Sequence, residues 1–312
     1  MTRVAHKALK AILIAGPTAS GKSALALELA EQLNGALINA DASQVYAELR
    51  ILSARPSAVD EARAPHLLYG HVPARERYSV ARWLADAREA VAKTRGAGRL
   101  PIVVGGTGLY FTATLEGIAD VPPIPAHVRE ASHALYEDLG PEAFNKWLAR
   151  LDPEAAFRWP AADRARSLRA YEVVVATGRP LAEWHKEGQA PLFARDEVER
   201  FALVPDRAVL YARCDQRFDE MMKAGAMEEV RALLALNLDP HLPAMKAVGV
   251  EELAQVARGT LALEAAVERA KRRTRNYVKR QLTWIRHQMA DWLQFATADA
   301  SAVRREIGEA AC

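Results

Sequence analysis

The first third of the chain alternates short apolar runs with longer stretches in which apolar residues recur every three or four positions. The runs are Ala11-Ile12-Leu13-Ile14-Ala15, Ala36-Leu37-Ile38-Asn39 and Leu100-Pro101-Ile102-Val103-Val104. Each is short and bounded by turn residues, as expected of a strand buried on both faces. Between them, residues 23–30 have helical character, and so do residues 79–93, where Val80, Trp83, Leu84, Ala87 and Val91 share a face and Ser79 is a suitable N-cap. Arg95-Gly96-Ala97-Gly98 ends the second helix, and a further helix follows Gly105-Gly106-Thr107-Gly108. Alternating strands and helices predict a parallel sheet covered on both faces. In such sheets ligands sit at the carboxyl ends of the strands. The loop after residue 15, Asp41 and Thr107 each follow a strand and should line one crevice.

The pattern changes at Val121-Pro122-Pro123-Ile124-Pro125, where the prolines mark a boundary. From residue 126 to about 187 the periodicity is helical, with Trp147, Leu148 and Leu151 packing one helix and Leu168, Tyr171, Val174 and Val175 another. Residues 123–190 are therefore expected to form a helical insertion in a core built from 1–122 and 191–312. Strand character returns over residues 199–210, around Arg200-Phe201-Ala202-Leu203-Val204, and the remainder is mostly helical. The last long helix is expected over 263–293, with Val278, Leu282, Ile285, Met289 and Leu293 on its core stripe. Residues 271–287 are the densest basic cluster, with Arg272, Arg275, Lys279 and Arg286 along the flank of that stripe. Such a flank is either a solvated helix face or a track for a phosphate backbone. His185, Trp184 and the other tryptophans read as core or surface residues.

Composition adds limits rather than direction. The chain has 312 residues, 50% hydrophobic and 26% charged, with a net charge of +3, so overall charge does not establish nucleic-acid binding. Cys214 and Cys312 are its two cysteines, which form neither a zinc-finger pattern nor a disulfide framework. Residues 1–10 are polar where a signal peptide needs an apolar core, and no apolar run is long enough to span a bilayer. A reducing cytoplasm, no membrane partner and a monomer are the expectations.

The sharpest chemical signal is Gly16-Pro17-Thr18-Ala19-Ser20-Gly21-Lys22-Ser23, which satisfies G-x-x-x-x-G-K-[ST] between a strand and a helix. Glycines let the backbone approach a phosphate, the helix N-terminus offers free N–H groups, Lys22 adds a charge and Ser23 can hold Mg²⁺. The motif specifies a polyphosphate, leaving its identity and the reaction open.

Several stretches together resemble the tRNA dimethylallyltransferase family (tRNA isopentenyltransferases). They are residues 16–23, Ile38-Asn39-Ala40-Asp41 leading to Gln44-Val45-Tyr46, residues 101–110, Arg213 in Leu210-Tyr211-Ala212-Arg213, and Arg280-Gln281-Leu282-Thr283-Trp284-Ile285-Arg286. The resemblance covers nearly the whole chain. It implies a P-loop kinase-like α/β core whose helical insertion grips the anticodon stem-loop. The activity implied is transfer of a dimethylallyl group from its diphosphate to the exocyclic amine of the adenosine on the 3′ side of the anticodon. The chain departs from the usual pattern at three places. Ala42 then Ser43 follow Asp41 where serine is usual, Arg50-Ile51-Leu52-Ser53-Ala54-Arg55-Pro56 replaces Asp-Ile-Gly-Thr-Ala-Lys-Pro, and Val248-Gly249-Val250-Glu251 replaces Val-Gly-Tyr-Arg or Val-Gly-Tyr-Lys.

The resemblance implies roles residue by residue. Asp41 is the candidate base that takes the amine proton, or else an outer ligand ordering Mg²⁺. Lys22, Ser23 and the loop amides face the leaving diphosphate. Arg213 is a further diphosphate clamp, or a surface ion pair with Asp215. Thr107 hydrogen-bonds the target nucleotide, caps the following helix, or both. The tRNA contacts implied are Asp41, Ala42, Ser43 and Gln44, then Thr107 and Arg129, then Ala165, Arg166, Ser167, Leu168 and Arg169, and finally Lys246, Ala247, Val248, Gly249, Val250 and Glu251. The target base would be flipped into a channel, with loop nucleotides read in a groove between core and insertion. Three alternatives share the P-loop. A small-molecule or nucleotide kinase would need a nucleotide pocket and a mobile arginine lid, and no lid is evident. A regulatory GTPase lacks its Asn-Lys-x-Asp, since Asn145-Lys146 is followed by Trp147-Leu148. A plain RNA-binding protein with a relic P-loop would not need Asp41 and Arg213 beside Lys22 and Ser23.

Overall fold

The computed structural model describes residues 9–311. The expectations on residues 1–8, on Cys312 and on the His185 side chain lie outside the described residues. The chain divides into two compact units, one of them Glu116–Pro191 and the other the remainder.

Strand β1 (Ala11–Ala15) is buried at every position and leads through the phosphate loop into α1 (Lys22–Gln32). Then come β2 (Gly35–Asn39), the short α2 (Ala58–Arg63), β3 (His66–Leu67), α3 (Val80–Gly96), β4 (Leu100–Gly105) and α4 (Gly108–Glu116). Ser79 caps α3 by accepting the Arg82 N–H at 3.1 Å. The α/β architecture matches the alternation in the sequence.

The intervening unit is helical: α5 (Ala126–Leu148), α6 (Pro153–Arg158), α7 (Arg164–Thr177) and α8 (Leu181–Lys186). Its ends are tied to each other, because Ile118 and Gln189 exchange backbone hydrogen bonds of 3.3 and 2.7 Å. That pairing is why the compact unit begins ahead of the proline run. Asp152 is buried and joins two helices, its carboxylate accepting from Ala155 N at 2.9 Å and Leu181 N at 3.2 Å. The packing phase differs from the sequence expectation. Gly140 (φ 70°) breaks α5 ahead of Pro141; after the break Phe144 and Leu148 face inward, Trp147 is exposed, and Leu151 lies past the end of the helix and is exposed. On α7, Val173 and Val174 are buried and Val175 is exposed.

The chain re-enters the first unit with β5 (Val198–Leu203), then α9 (Arg207–Lys223), α10 (Ala226–Ala235), α11 (Val250–Ala257), α12 (Leu263–Gln288), β6 (Leu293–Phe295) and α13 (Ala300–Ala311). The sheet has six strands in the order β3-β2-β4-β1-β5-β6, and every pairing is parallel. Ile12, Ile14, Leu25, Leu29, Leu37, Ile102, Phe201 and Val303 form its core. Two sequence expectations are corrected here. Strand character ends at Leu203, because Asp206 caps a helix by accepting the Ala208 N–H at 2.8 Å, and this places Arg213 on a helix. The last long helix stops at Gln288, and Leu293 is a half-exposed strand residue rather than part of the core stripe. Among the described residues no helix is long and apolar enough to cross a membrane.

Candidate active site

The phosphate loop is shaped by two left-handed residues, Ala19 (φ 63°) and Gly21 (φ 95°), the second being the N-cap of α1. The loop therefore ends with α1's free N–H groups facing the carboxyl end of the sheet. The Lys22 ammonium folds back and donates to Pro17 O at 3.2 Å. Burial pushes the Lys22 pKa down to about 8; the Asp41 charge opposes this and the Arg217 charge adds to it. Ser20 Oγ is buried in the same loop without a hydrogen-bond partner.

Asn39 sets Asp41. Buried at the end of β2, its amide donates to Asp41 O and Leu68 O, both at 3.0 Å, and its Oδ1 accepts the Asp41 N–H at 2.9 Å. The Asp41 side chain is 9% exposed, and its Oδ1 accepts from Ser43 N (3.0 Å) and Ser43 Oγ (2.7 Å). Among the described residues no protein donor reaches Oδ2. Burial raises the phenols of Tyr69, Tyr110 and Tyr277 above their ordinary range, and the Asp41 charge raises them further. All three stay neutral donors near the carboxylate.

Asp41 and Lys22 line one cavity of about 660 Å³. Its cations are Lys22, Arg55, Arg217, Lys246, Arg273 and Arg280, against the carboxylates Asp41 and Asp60, and Leu27, Leu52, Phe218, Met221 and Val248 supply an apolar wall. Arg273 is already committed to Glu251 and Glu252, each at 2.9 Å. The cavity thus offers excess positive charge beside a hydrocarbon surface, with two carboxylates, of which Asp60 is held in the α2 cap by Ser57. It suits an anionic head joined to a small apolar tail.

Of the residues singled out in the sequence, Thr18 to Ser23, Asp41 to Gln44, and Lys246 to Val248 all line this cavity. Gly16 and Pro17 do not line it, although Pro17 O accepts from Lys22. Gln44 donates to Ser53 O and Ala54 O, both at 3.0 Å. Thr107 is not a side-chain cap: its Oγ1 accepts the Ala42 N–H at 2.9 Å, while its carbonyl accepts the Tyr110 N–H at 3.0 Å. Gly249 (φ 94°) is the N-cap of α11, Val250 is buried and Glu251 is exposed. Arg213 is exposed and does not line the cavity, nor does it pair with Asp215, which instead holds Arg275 at 2.6 Å. Arg217, one helical turn later, is the α9 cation at the cavity.

In the helical unit, Arg129 Nε donates to Ile124 O at 3.3 Å. Ala165 and Arg166 are exposed, with Arg166 paired to Asp163 at 3.0 Å, whereas Ser167 and Leu168 are buried in the unit's core. Burial lowers the Arg169 pKa, the like charge of Arg129 adds to the shift, and Glu172 opposes it. Two half-buried cations are therefore held near each other.

Sequence reasoning assigned no role to Arg55, Arg217, Tyr277 or Gln281. The last lies in the basic stretch already noted, but nothing in its spacing says which side chain turns inward. For a metal, the described residues contain no group of three or more His, Cys, Asp or Glu able to hold one. The donors present, the Ser23 hydroxyl and the Asp41 carboxylate, are hard oxygens at a phosphate loop. They fit a divalent ion that takes most of its ligands from phosphate and water.

Comparison with known proteins agrees with this geometry. A family model described as IPP transferase matches residues 44–288, and one described as isopentenyl transferase matches residues 9–65. The tRNA dimethylallyltransferase of Nitrobacter hamburgensis is 52% identical over 95% of this chain and 93% of its own length. That of Phenylobacterium zucineum is 53% identical over 95% of both. The crystal structure of the full-length tRNA isopentenylpyrophosphate transferase from Bacillus halodurans superposes with a TM-score of 0.69 at 30% identity, covering 97% of this chain and 96% of that one. A eukaryotic dimethylallyltransferase acting on tRNA superposes with a TM-score of 0.79 at 29% identity, covering 96% of this chain and 78% of that one. On its phosphate loop, its parallel sheet and identity sustained over nearly its whole length, this chain belongs to the IPP transferase family, the tRNA dimethylallyltransferases.

Proposed function

We propose that this enzyme transfers a dimethylallyl group from dimethylallyl diphosphate to the N6 amine of the adenosine 3′-adjacent to the anticodon of tRNA, releasing diphosphate. The observation that carries the reading is that Asp41 and Lys22 line the same cavity. The exocyclic amine of adenine is a weak nucleophile because its lone pair is delocalised into the ring. Asp41 takes its proton at Oδ2 as the new C–N bond forms; a positioned base of this kind contributes about 10²–10⁴-fold. The allylic C–O bond breaks and charge accumulates on the leaving diphosphate. Lys22, Arg217 and the loop N–H groups are aligned with that charge in advance, which is usually the largest catalytic term. Ser23 would hold a Mg²⁺ ion together with diphosphate oxygens, and the bound ion would neutralise part of their charge. Leu52, Phe218 and Val248 take the hydrocarbon and keep water from the reacting carbon.

The target base reaches the cavity only when unstacked from its loop. Ala42, Ser43, Gln44, Thr107, Lys246, Ala247, Val248 and Glu251 contact the nucleotides around it, Gly249 and Val250 being buried, while Arg129, Arg166 and Arg169 meet the anticodon stem-loop through its phosphates. A tRNA substrate fits a cytoplasmic location, which is part of this proposal. The test is incubation with labelled dimethylallyl diphosphate or labelled ATP, with and without tRNA. Isoprenoid label on tRNA is the expected result. Phosphate transfer to a small acceptor, with none on tRNA, would identify a kinase.

A further inference from the structure

We propose that Gln281 is a positioning residue for the reaction, fixing the diphosphate loop and the loop after β4 from the helix that forms the opposite wall of the cavity. The proposal rests on the function given above. Gln281 is 6% exposed and uses both ends of its amide. Its Oε1 accepts the Thr18 N–H at 3.0 Å, within the phosphate loop. Its Nε2 donates to Gly106 O at 2.9 Å, in the loop that carries Thr107. Gly106 leaves the room this requires, since a Cβ there would collide with Gln281 Nε2 and stand 3.4 Å from Asp41 Oδ2. One side chain thus joins the phosphate cradle to a loop that abuts the carboxylate.

The chemistry demands an amide. An acceptor must face one loop and a donor the other, at one side-chain length. Glutamate keeps the acceptor and presents an oxygen to Gly106 O; methionine keeps the volume and makes neither bond. Tyr277, one helical turn earlier on α12, lines the cavity, so the same bonds set the spacing between that wall and the diphosphate. Displacing reacting groups by about 1 Å costs on the order of a hundredfold in rate.

The experiment compares the parent enzyme with Gln281→Met, Gln281→Glu and Gly106→Ala. It measures kcat, KM for both substrates, inorganic diphosphate affinity by calorimetry, anticodon stem-loop affinity and melting temperature. In Gln281→Met, kcat should fall about a hundredfold and inorganic diphosphate bind about tenfold more weakly, with stem-loop affinity unchanged. Gln281→Glu should fall between this variant and the parent. Gly106→Ala should reproduce the Gln281→Met pattern and add little in combination with it. If Gln281→Met does not fold, the near-isosteric Gln281→Glu carries the comparison. A lower melting temperature with unchanged kcat and diphosphate affinity would make Gln281 a packing residue only and overturn the proposal. Failure of the parent to prenylate tRNA would instead remove the proposed function, and the diphosphate affinities would still decide the role of Gln281.

Discussion

Replacing Lys22 by methionine should make the fold more stable while disabling the site. The Lys22 pKa falls from 10.5 to about 8 in the folded chain, chiefly because its ammonium is enclosed. A difference of 10.5 minus 8 is 2.5 units, and at about 1.36 kcal/mol per unit the charged lysine costs the native state about 3 kcal/mol. The sign follows from proton binding. Below pH 8 both states hold the proton and the cost is present in full. Between pH 8 and 10.5 the unfolded chain keeps a proton that the folded chain has released, so native stability rises with pH. Above 10.5 the cost is gone. Methionine fills similar volume without charge, so Lys22→Met should be about 3 kcal/mol more stable than the parent at pH 7. For a unit of this size that is about 6–12 °C in melting temperature. The gap should close as pH approaches 10.5; the difference between two proteins matters here because other titrating groups cancel. Inorganic diphosphate affinity should drop about a hundredfold, as expected for a lost charge-assisted hydrogen bond. Scanning calorimetry at pH 7, 8.5 and 10 checks the first part. A less stable variant at pH 7, or a gap that does not move with pH, would refute the claim that burial of the charge sets the Lys22 pKa.

Three other outcomes test separate parts of the site. Asp41→Asn should lower kcat by about 10²–10⁴-fold with little change in inorganic diphosphate affinity; near-normal turnover would remove the base assignment. Arg217→Ala should weaken inorganic diphosphate by about tenfold or more, and Arg213→Ala by less than twofold, because Arg217 lines the cavity and Arg213 does not; equal losses would restore the clamp to Arg213. Arg169→Ala should reduce the salt dependence of stem-loop binding by about one unit of slope, read by filter binding at several salt concentrations, with turnover at saturating tRNA retained.

The legible parts of the chain were those whose cause is local. β1, β2 and β4 are short apolar runs because both sheet faces are covered, and a run of that kind carries its own boundaries. The phosphate loop was legible for the same reason: its glycines, lysine and serine act within eight consecutive residues. Misreadings arose where apolar spacing continued through a change of direction. Met289 and Trp292 are both buried, so the apolar signal runs on past the last residue of α12 although the chain has turned into β6. Val209 and Leu210 prolonged the strand signal of β5, while Asp206, a capping residue in plain view, had already started α9. In the helical unit, Phe144 and Leu148 set the buried face of α5 after the break at Gly140, which leaves Trp147 at the surface, and Leu151 lies beyond the last residue of the helix. The choice of Arg217 over Arg213 and the inward turn of Gln281 depend on how α9 and α12 pack on the sheet, and no periodicity within either helix encodes that.

The departures from the family pattern become intelligible once their neighbours are known. The Arg50–Pro56 stretch is held by Glu229 on α10, whose carboxylate accepts the backbone N–H groups of Arg50 and Ile51 at 2.7 Å each and of Leu52 at 2.9 Å. These bonds fix the path of the main chain, and they hold whatever side chains the stretch carries. Leu52, thus fixed, meets the second departing segment: a Cβ on Gly249 would lie 2.9 Å from Leu52 Cδ2 and 3.1 Å from Phe218 Cε2. The next residue, Val250, turns into the core, while Glu251 points outward to hold Arg273. Two of the three stretches that differ from the family are therefore packed against one another on the apolar side of the cavity. The phosphate loop and Asp41 are anchored separately, through Asn39 and Gln281. The third departure, Ala42-Ser43, is coupled directly to the carboxylate: Ser43 donates to Asp41 Oδ1 through both its N–H and its hydroxyl, and the neighbouring Gln44 ties this segment to Ser53 O and Ala54 O in the 50–56 stretch.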